Sequence, residues 1–355
     1  MSEVETDFSD VLFERRGGIG LITLNRPAAL NSLTHAMCVA VTAALNDWAR
    51  DPRVKAVVVT GSGDKAFCAG GDVLSVTRSK KAGTSEWRDF FHDEYVMNVT
   101  IAEYPKPYVS LVDGITMGGG VGISVPGDFW VASEKTLFAM PETALGLFPD
   151  VGGGYFLPRL PGEVGMYLAL TGARLKAADL YAIGLATHMV PSADTDALID
   201  ALVEAEISCE NCVAAVLDRF HCDPGPAPIA AVMDMIDEHF CEGSVEAITA
   251  SLREDGADWP QQQLKVLARQ SPTSLKLTHE QLRRGLGLSF RDNMKMEFRM
   301  VNRCAEGHDF FEGVRAVLVD KDRSPAWQPD TLSAVSDRDI QRYFAPLPDG
   351  EELQL

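Results

Sequence analysis

The short apolar runs VKAVVVTGSG and KPYVSLVDG constrain this chain more than any other feature. VKAVVVTGSG is rich in β-branched residues and ends in glycine, which is how a strand buried on both faces reads. KPYVSLVDG repeats the event. Strands of that kind need helices on either side of their sheet, and the neighbouring segments supply them. SLTHAMCVAVTAALNDWARD opens with Ser32 and Thr34 as candidate caps and then keeps apolar residues at helical spacing. PGEVGMYLALTG and KAADLYAIGLA also read as helices, and FWVASEKTLFAM as a pair of short strands. At the front, VLFERRGGIGLITLNRP predicts a hairpin turning at Gly17 and Gly18. Strands alternating with helices predict an α/β fold.

The pattern changes after ATHMVPSADTD. From residue 194 to about 320 the periodicity is helical, interrupted at DPGPAP, EGS and SPTS. The chain therefore divides into an α/β core over residues 1–210 and a helical carboxy-terminal extension over 211–355. The final stretch, RSPAWQPDTLSAVSDRDIQRYFAPLPDGEELQL, is rich in proline and acid and reads as irregular. A length of 355 residues accommodates a large core plus such an extension.

Charge and cysteine usage narrow the partners. A formal charge of −19 is the wrong sign for a nucleic-acid surface, although it leaves room for a phosphorylated small ligand. No apolar run reaches membrane-spanning length, and the acidic start MSEVETDFSD lacks the marks of a signal or transit peptide. A cytoplasmic protein with no membrane partner is expected. Cys38 and Cys68 lie in apolar runs, as reduced buried thiols do. Cys209, Cys212, His221 and Cys222 lack the second close pair of a zinc site, and the cysteines continue the helical run ALIDALVEAEISCENCVAAVL, so no metal is expected.

Two glycine-rich stretches, FCAGGD (67–72) and DGITMGGGVGISV (113–125), fit neither a Gly-x-x-x-x-Gly-Lys loop nor Gly-x-Gly-x-x-Gly spacing. Their N–H-rich turns at Gly71 and Gly119 could instead form an oxyanion hole, where one donor contributes roughly 3 to 4 kcal/mol to lowering a barrier. FAMPETALGLFPDVGGGYFLPRL carries only Glu142 and Asp150 as acids, isolated among apolar residues. There is no Gly-x-Ser-x-Gly elbow, and His35, His92 and His188 have no nucleophile motif beside them.

LNRPAALNSL, FCAGGD, GITMGGGVG and FAMPETALGLFPDVGG together resemble, in order, the signatures of the crotonase (enoyl-CoA hydratase/isomerase) superfamily over residues 10 to 200. SPTSLKLTHEQLRRG and RDNMKMEFRMVNRC extend the resemblance, to about residue 329, toward a branch of thioester hydrolases. The resemblance implies a crotonase-like core of repeated β-β-α turns and an acyl-CoA ligand whose thioester oxygen lies between the N–H groups of Gly71 and Gly119. Coenzyme A is then part of the substrate, and no separate cofactor is implied. Arg26, Ala29, Leu30, Phe67, Ala69, Gly71 and Asp72 would line its groove. Hydratases of this superfamily use two glutamates. Here Glu142 matches one, Gly122 stands where the other would be, and Asp150 replaces a glycine. Glu94, Gly119, Glu142 and Asp150 are carried over as substrate-binding or catalytic positions. Glu142 would be nucleophile or general base, and Asp150 would orient a substrate hydroxyl or manage a proton. The implied reaction is hydrolysis of a short branched 3-hydroxyacyl-CoA in valine breakdown. An enoyl-CoA hydratase/isomerase and a non-catalytic assembly protein are the alternatives. Gly122→Glu with Asp150→Gly is expected to move such a site toward hydratase geometry. Simple members assemble as trimers or hexamers, which leaves a homo-oligomer open.

Overall fold

The computed structural model describes residues 9–355, so most of the acidic opening MSEVETDFSD lies outside the described residues. β1 (Val11–Arg16) and β2 (Ile19–Leu24) form the antiparallel hairpin, with Gly17 at φ 57° in its turn. Then β3 (Ala56–Gly61) and β4 (Ala66–Cys68), β5 (Tyr108–Val112) and β6 (Ile115–Met117), and β7 (Phe129–Ala132) and β8 (Leu137–Ala139) follow as successive pairs. Each pair gives one strand to each of two sheets. With β9 (Leu175–Lys176) and β10 (His188–Met189), the sheets have the orders β1-β2-β3-β5-β7-β10 and β4-β6-β8-β9. Pairing is parallel from β2 to β10 in the first sheet and from β4 to β8 in the second.

The valines of β3 explain why it reads as apolar throughout. Val57 and Val59 enter the main core, while Ala56 and Val58 enter a second cluster with Leu198, Leu202, Val213 and Leu217 on the other face. α1 (His35–Arg50) starts at Thr34, whose hydroxyl accepts from Met37 N at 3.3 Å. It buries Met37, Cys38, Val41 and Leu45, each large apolar side chain contributing roughly 1.5 to 3 kcal/mol. α2 (Val73–Ala82) and α3 (Glu86–Ala102) follow β4. Among the described residues, no strand lies beyond Met189. The helices from Met233 onward contribute Phe240, Ile248, Leu275, Met294 and Phe310 to the same apolar core as Val41, Phe67 and Phe148.

Two local expectations differ from the structure. The run from Ala197 to Leu217 is two helices, Thr195–Glu204 and Glu210–Phe220. The backbone extends at Ala205 (ψ 142°) and Cys209 (φ −158°), and Ile207 between them is drawn into the second cluster. The carboxy-terminal tail holds a helix, Asp337–Phe344, capped by the Ser336 hydroxyl and docked through Ile340 and Phe344. The cap, these two apolar side chains and the Arg284 guanidinium 4.0 Å over the Phe344 ring order a segment that its prolines and acids suggest is irregular.

Candidate active site

β4 runs into Gly70 (φ 119°) and Gly71, and β6 runs into Gly118 (φ 46°) and α4 (Gly119–Gly122). Because β4 and β6 pair in parallel, both turns emerge at the same end of the sheet. Leu33 N donates to Gly70 O and Asp72 N to Leu33 O, each at 2.8 Å. That bridge leaves the N–H of Gly71 unused. Neither it nor the N–H of Gly119 donates to a protein group among the described residues. A methyl added at Gly119 would lie 3.1 Å from Gly71 N and 2.5 Å from Glu94 Oε1, so only glycine lets the turns meet.

The carboxylates converge on the same point. Glu94 comes from α3, and Glu142 opens the short turn Glu142–Leu145, which Gly146 closes in the left-handed region (φ 71°). Gly146 also lies against the backbone of Asp309, where a Cβ would meet the carbonyl at 2.3 Å. The chain bends there, and Asp150 returns to the pocket, accepting from Tyr95 OH at 3.0 Å. The side chains of Glu94, Glu142 and Asp150 are all buried. They line, with Gly71 and Gly119, a cavity of about 420 Å³ whose walls include Val73, Phe90, Leu145, Leu147, Val317 and Leu318. Glu142 Oε1 reaches to within 3.2 Å of where a Cβ of Gly118 would stand. Glu94 Oε1 and Glu142 Oε2 are buried with no hydrogen-bond partner.

Burial decides the protonation of this group. Desolvation, then the charge of Asp150, pushes Glu94 and Glu142 well above the ordinary carboxylate range. Asp150 is raised by desolvation to about 7, with the Tyr95 hydroxyl opposing the rise. A cluster poised to exchange protons near neutrality, beside two free N–H donors, suits chemistry at a carbonyl carbon. A larger surface hollow of about 550 Å³ between Lys55, Lys106 and Cys209 holds neither glycine turn.

The segments expected to line a coenzyme A groove are joined side by side. Ala69 N donates to Leu30 O at 3.0 Å, next to the Leu33–Gly71 bridge. Arg26 donates to Ser32 O at 2.6 Å and lies 3.6 Å from the Asp72 carboxylate. Ala29 is exposed and Leu30 and Ala69 are half-buried. Phe67, however, is fully buried and presents no surface to a ligand, so its expected place in the lining of the groove is corrected to one in the core beneath it. Asn31 organises this corner, its amide donating to Ser62 O and Ala66 O at 2.9 Å. Gly122 has no room for the carboxylate that hydratases carry. A Cβ there would meet Val151 Cβ at 2.6 Å and Asn98 Nδ2 at 2.8 Å. Gly122→Glu would therefore have to displace Val151 and Asn98 before its carboxylate could reach the cavity, with or without Asp150→Gly. Sequence reasoning also missed Tyr95 and a further buried carboxylate behind the Asp150 turn, Glu297, although helical spacing puts Glu297 on the buried face with Met294 and Val301.

The family model described as enoyl-CoA hydratase/isomerase matches residues 19–344. A zebrafish (Danio rerio) protein named 3-hydroxyisobutyryl-CoA hydrolase, mitochondrial, is 49% identical over 98% of this chain and 92% of its own. The Homo sapiens protein of the same name is 45% identical over 98% of this chain and 91% of its own. Among solved structures, a carnitinyl-CoA dehydratase from Mycobacterium thermoresistibile is 41% identical with a TM-score of 0.91, covering 97% of this chain and 98% of that one. An enoyl-CoA hydratase from Rhodobacter sphaeroides is 40% identical with a TM-score of 0.90, covering 98% and 100%. The cytoplasmic expectation is overturned here, because the hydrolase relatives are named as mitochondrial. That expectation rests on the acidic opening, on Cys38 and Cys68 in apolar runs and on the lack of a membrane-spanning run, none of which distinguishes the cytoplasm from another reducing compartment.

Proposed function

The chain belongs to the enoyl-CoA hydratase/isomerase family, and within it we propose a thioester hydrolase that converts 3-hydroxyisobutyryl-CoA and water to 3-hydroxyisobutyrate and coenzyme A. One observation carries this reading. The free N–H groups of Gly71 and Gly119 stand with Glu142 and Asp150 around one apolar cavity. In this reading the thioester oxygen accepts from both N–H groups, so charge that develops on it in the transition state is met by donors already in place. Glu142 either takes a proton from the water that attacks the carbonyl carbon, or attacks that carbon itself to form a mixed anhydride that water then hydrolyses. In both cases the carbon–sulfur bond breaks and the coenzyme A thiolate departs. Asp150 exchanges the proton or holds the 3-hydroxyl of the acyl group. The same proposal puts the chain in valine breakdown.

A second reading, hydration of an enoyl-CoA, is favoured by the names of the two structures at 40% and 41% identity. Against it stands Gly122, walled in by Val151 and Asn98. Purified protein offered a panel of acyl-CoA esters should release free thiol fastest from 3-hydroxyisobutyryl-CoA. Loss of the enoyl absorbance of crotonyl-CoA without thiol release would favour the hydratase instead.

A further inference from the structure

The segments SPTSLKLTHEQLRRG and RDNMKMEFRMVNRC form the helices Pro272–Gly285 and Phe290–Cys304, which meet behind the turn that carries Asp150. At their junction stands Glu297, fully buried and outside the lining of the cavity. Its Oε2 accepts from Gly152 N at 2.9 Å, and its Oε1 accepts from Gly154 N at 2.9 Å and Asn293 Nδ2 at 2.8 Å. Gln281 Nε2 donates to Glu297 Oε1 at 3.1 Å and to Pro149 O at 2.7 Å. Backbone groups on both sides of Asp150 are thus tied to the extension. We infer that Glu297 is a positioning residue for Asp150, its carboxylate clamping the 149–154 turn so that Asp150 faces the cavity.

The turn needs such a clamp. Val151 (φ 50°) and Gly152 (φ 95°) are consecutive residues in the left-handed region, which a β-branched side chain rarely adopts unless its surroundings hold it there. A buried carboxylate is a costly way to fill a helix interface, and an apolar side chain of similar size would stabilise as well. What a carboxylate adds is the capture of two N–H groups two residues apart on one turn. Gly154 and Gly285 keep the helix close enough, since a Cβ at Gly285 would meet Gly154 O at 1.8 Å.

The inference rests on the hydrolase reading for the role of Asp150, and two measurements separate them. In the first, thiol release is compared for the parent, Glu297→Gln, Asp150→Asn and the double variant. Glu297→Gln should lower kcat by roughly thirty-fold or more with KM changed less than about threefold, yet cost less than about threefold on the Asp150→Asn background. In the second, amide hydrogen exchange across residues 150–156 should accelerate at least about tenfold in folded Glu297→Gln while α1 stays protected. Gln281→Met, which frees Pro149 O, should give the same pattern and serves if Glu297→Gln does not fold. Near-parental kcat, an equal loss on both backgrounds, or unchanged exchange overturns the clamp. A parent that releases no thiol sinks the hydrolase reading, and exchange still decides whether Glu297 holds the turn.

Discussion

Glu142 and Asp150 are both buried, and one hydrogen bond separates their behaviour. Asp150 accepts from Tyr95 OH, which favours its ionised form, while Glu142 Oε2 has no partner. Glu142→Gln keeps the shape and removes the base, and should lower thiol release by about a hundredfold or more, with coenzyme A binding retained in a calorimetric titration. Both carboxyls are raised, so their ionised forms become available only as pH rises. Thiol release should therefore increase with pH through about 7 rather than reach its plateau near pH 5. Tyr95→Phe removes a donor that holds Asp150 down, and should move the limb of the pH–rate profile that Asp150 sets to higher pH. An unmoved limb would mean that a different group sets it.

At the scale of elements, the features written in short range were legible and those written in tertiary contact were not. β3 and the Gly17–Gly18 hairpin are legible because their burial and turn geometry depend on a few consecutive residues. The glycine turns were legible for the same reason, and parallel pairing of β4 with β6 brings them together. The break at Ala205–Cys209 was not legible, because what ends the helix is the docking of Ile207 beneath the sheet. Nor was the clamp on Asp150, whose partners lie more than 130 residues away in sequence. Gly122 shows the same limit: its identity suggested a missing catalytic acid, but its neighbours show that the space is filled. Gly122→Glu with Asp150→Gly should accordingly fail to hydrate crotonyl-CoA and should lower the melting temperature, since the new side chain displaces Val151. Measurable hydration by that double variant would show that the 150–152 turn can yield.

For the whole molecule, burying several carboxyls in one pocket makes stability depend on pH in the opposite sense to a surface ion pair. Asp150 moves from its ordinary 3.8 to about 7 on folding, so between those values the native chain holds a proton that the unfolded chain has lost. Stability contributed by this group is then full below about pH 4 and declines as pH rises toward 7, by up to about 1.4 kcal/mol for each pH unit. Glu94 and Glu142 act in the same direction. The chain's formal charge of −19 at pH 7 adds self-repulsion over the same range. Asp150→Asn keeps an acceptor for Tyr95 OH and cannot ionise. Relative to the parent it should gain stability progressively from pH 5 to pH 7, read as a widening gap in urea midpoint at constant slope. The gain should be smaller than the full proton linkage allows, because a pocket that opens to water relieves part of the cost. Parallel midpoint curves for the two proteins would mean that Asp150 titrates near its ordinary value, and the proton exchange proposed for the site would lose its physical basis.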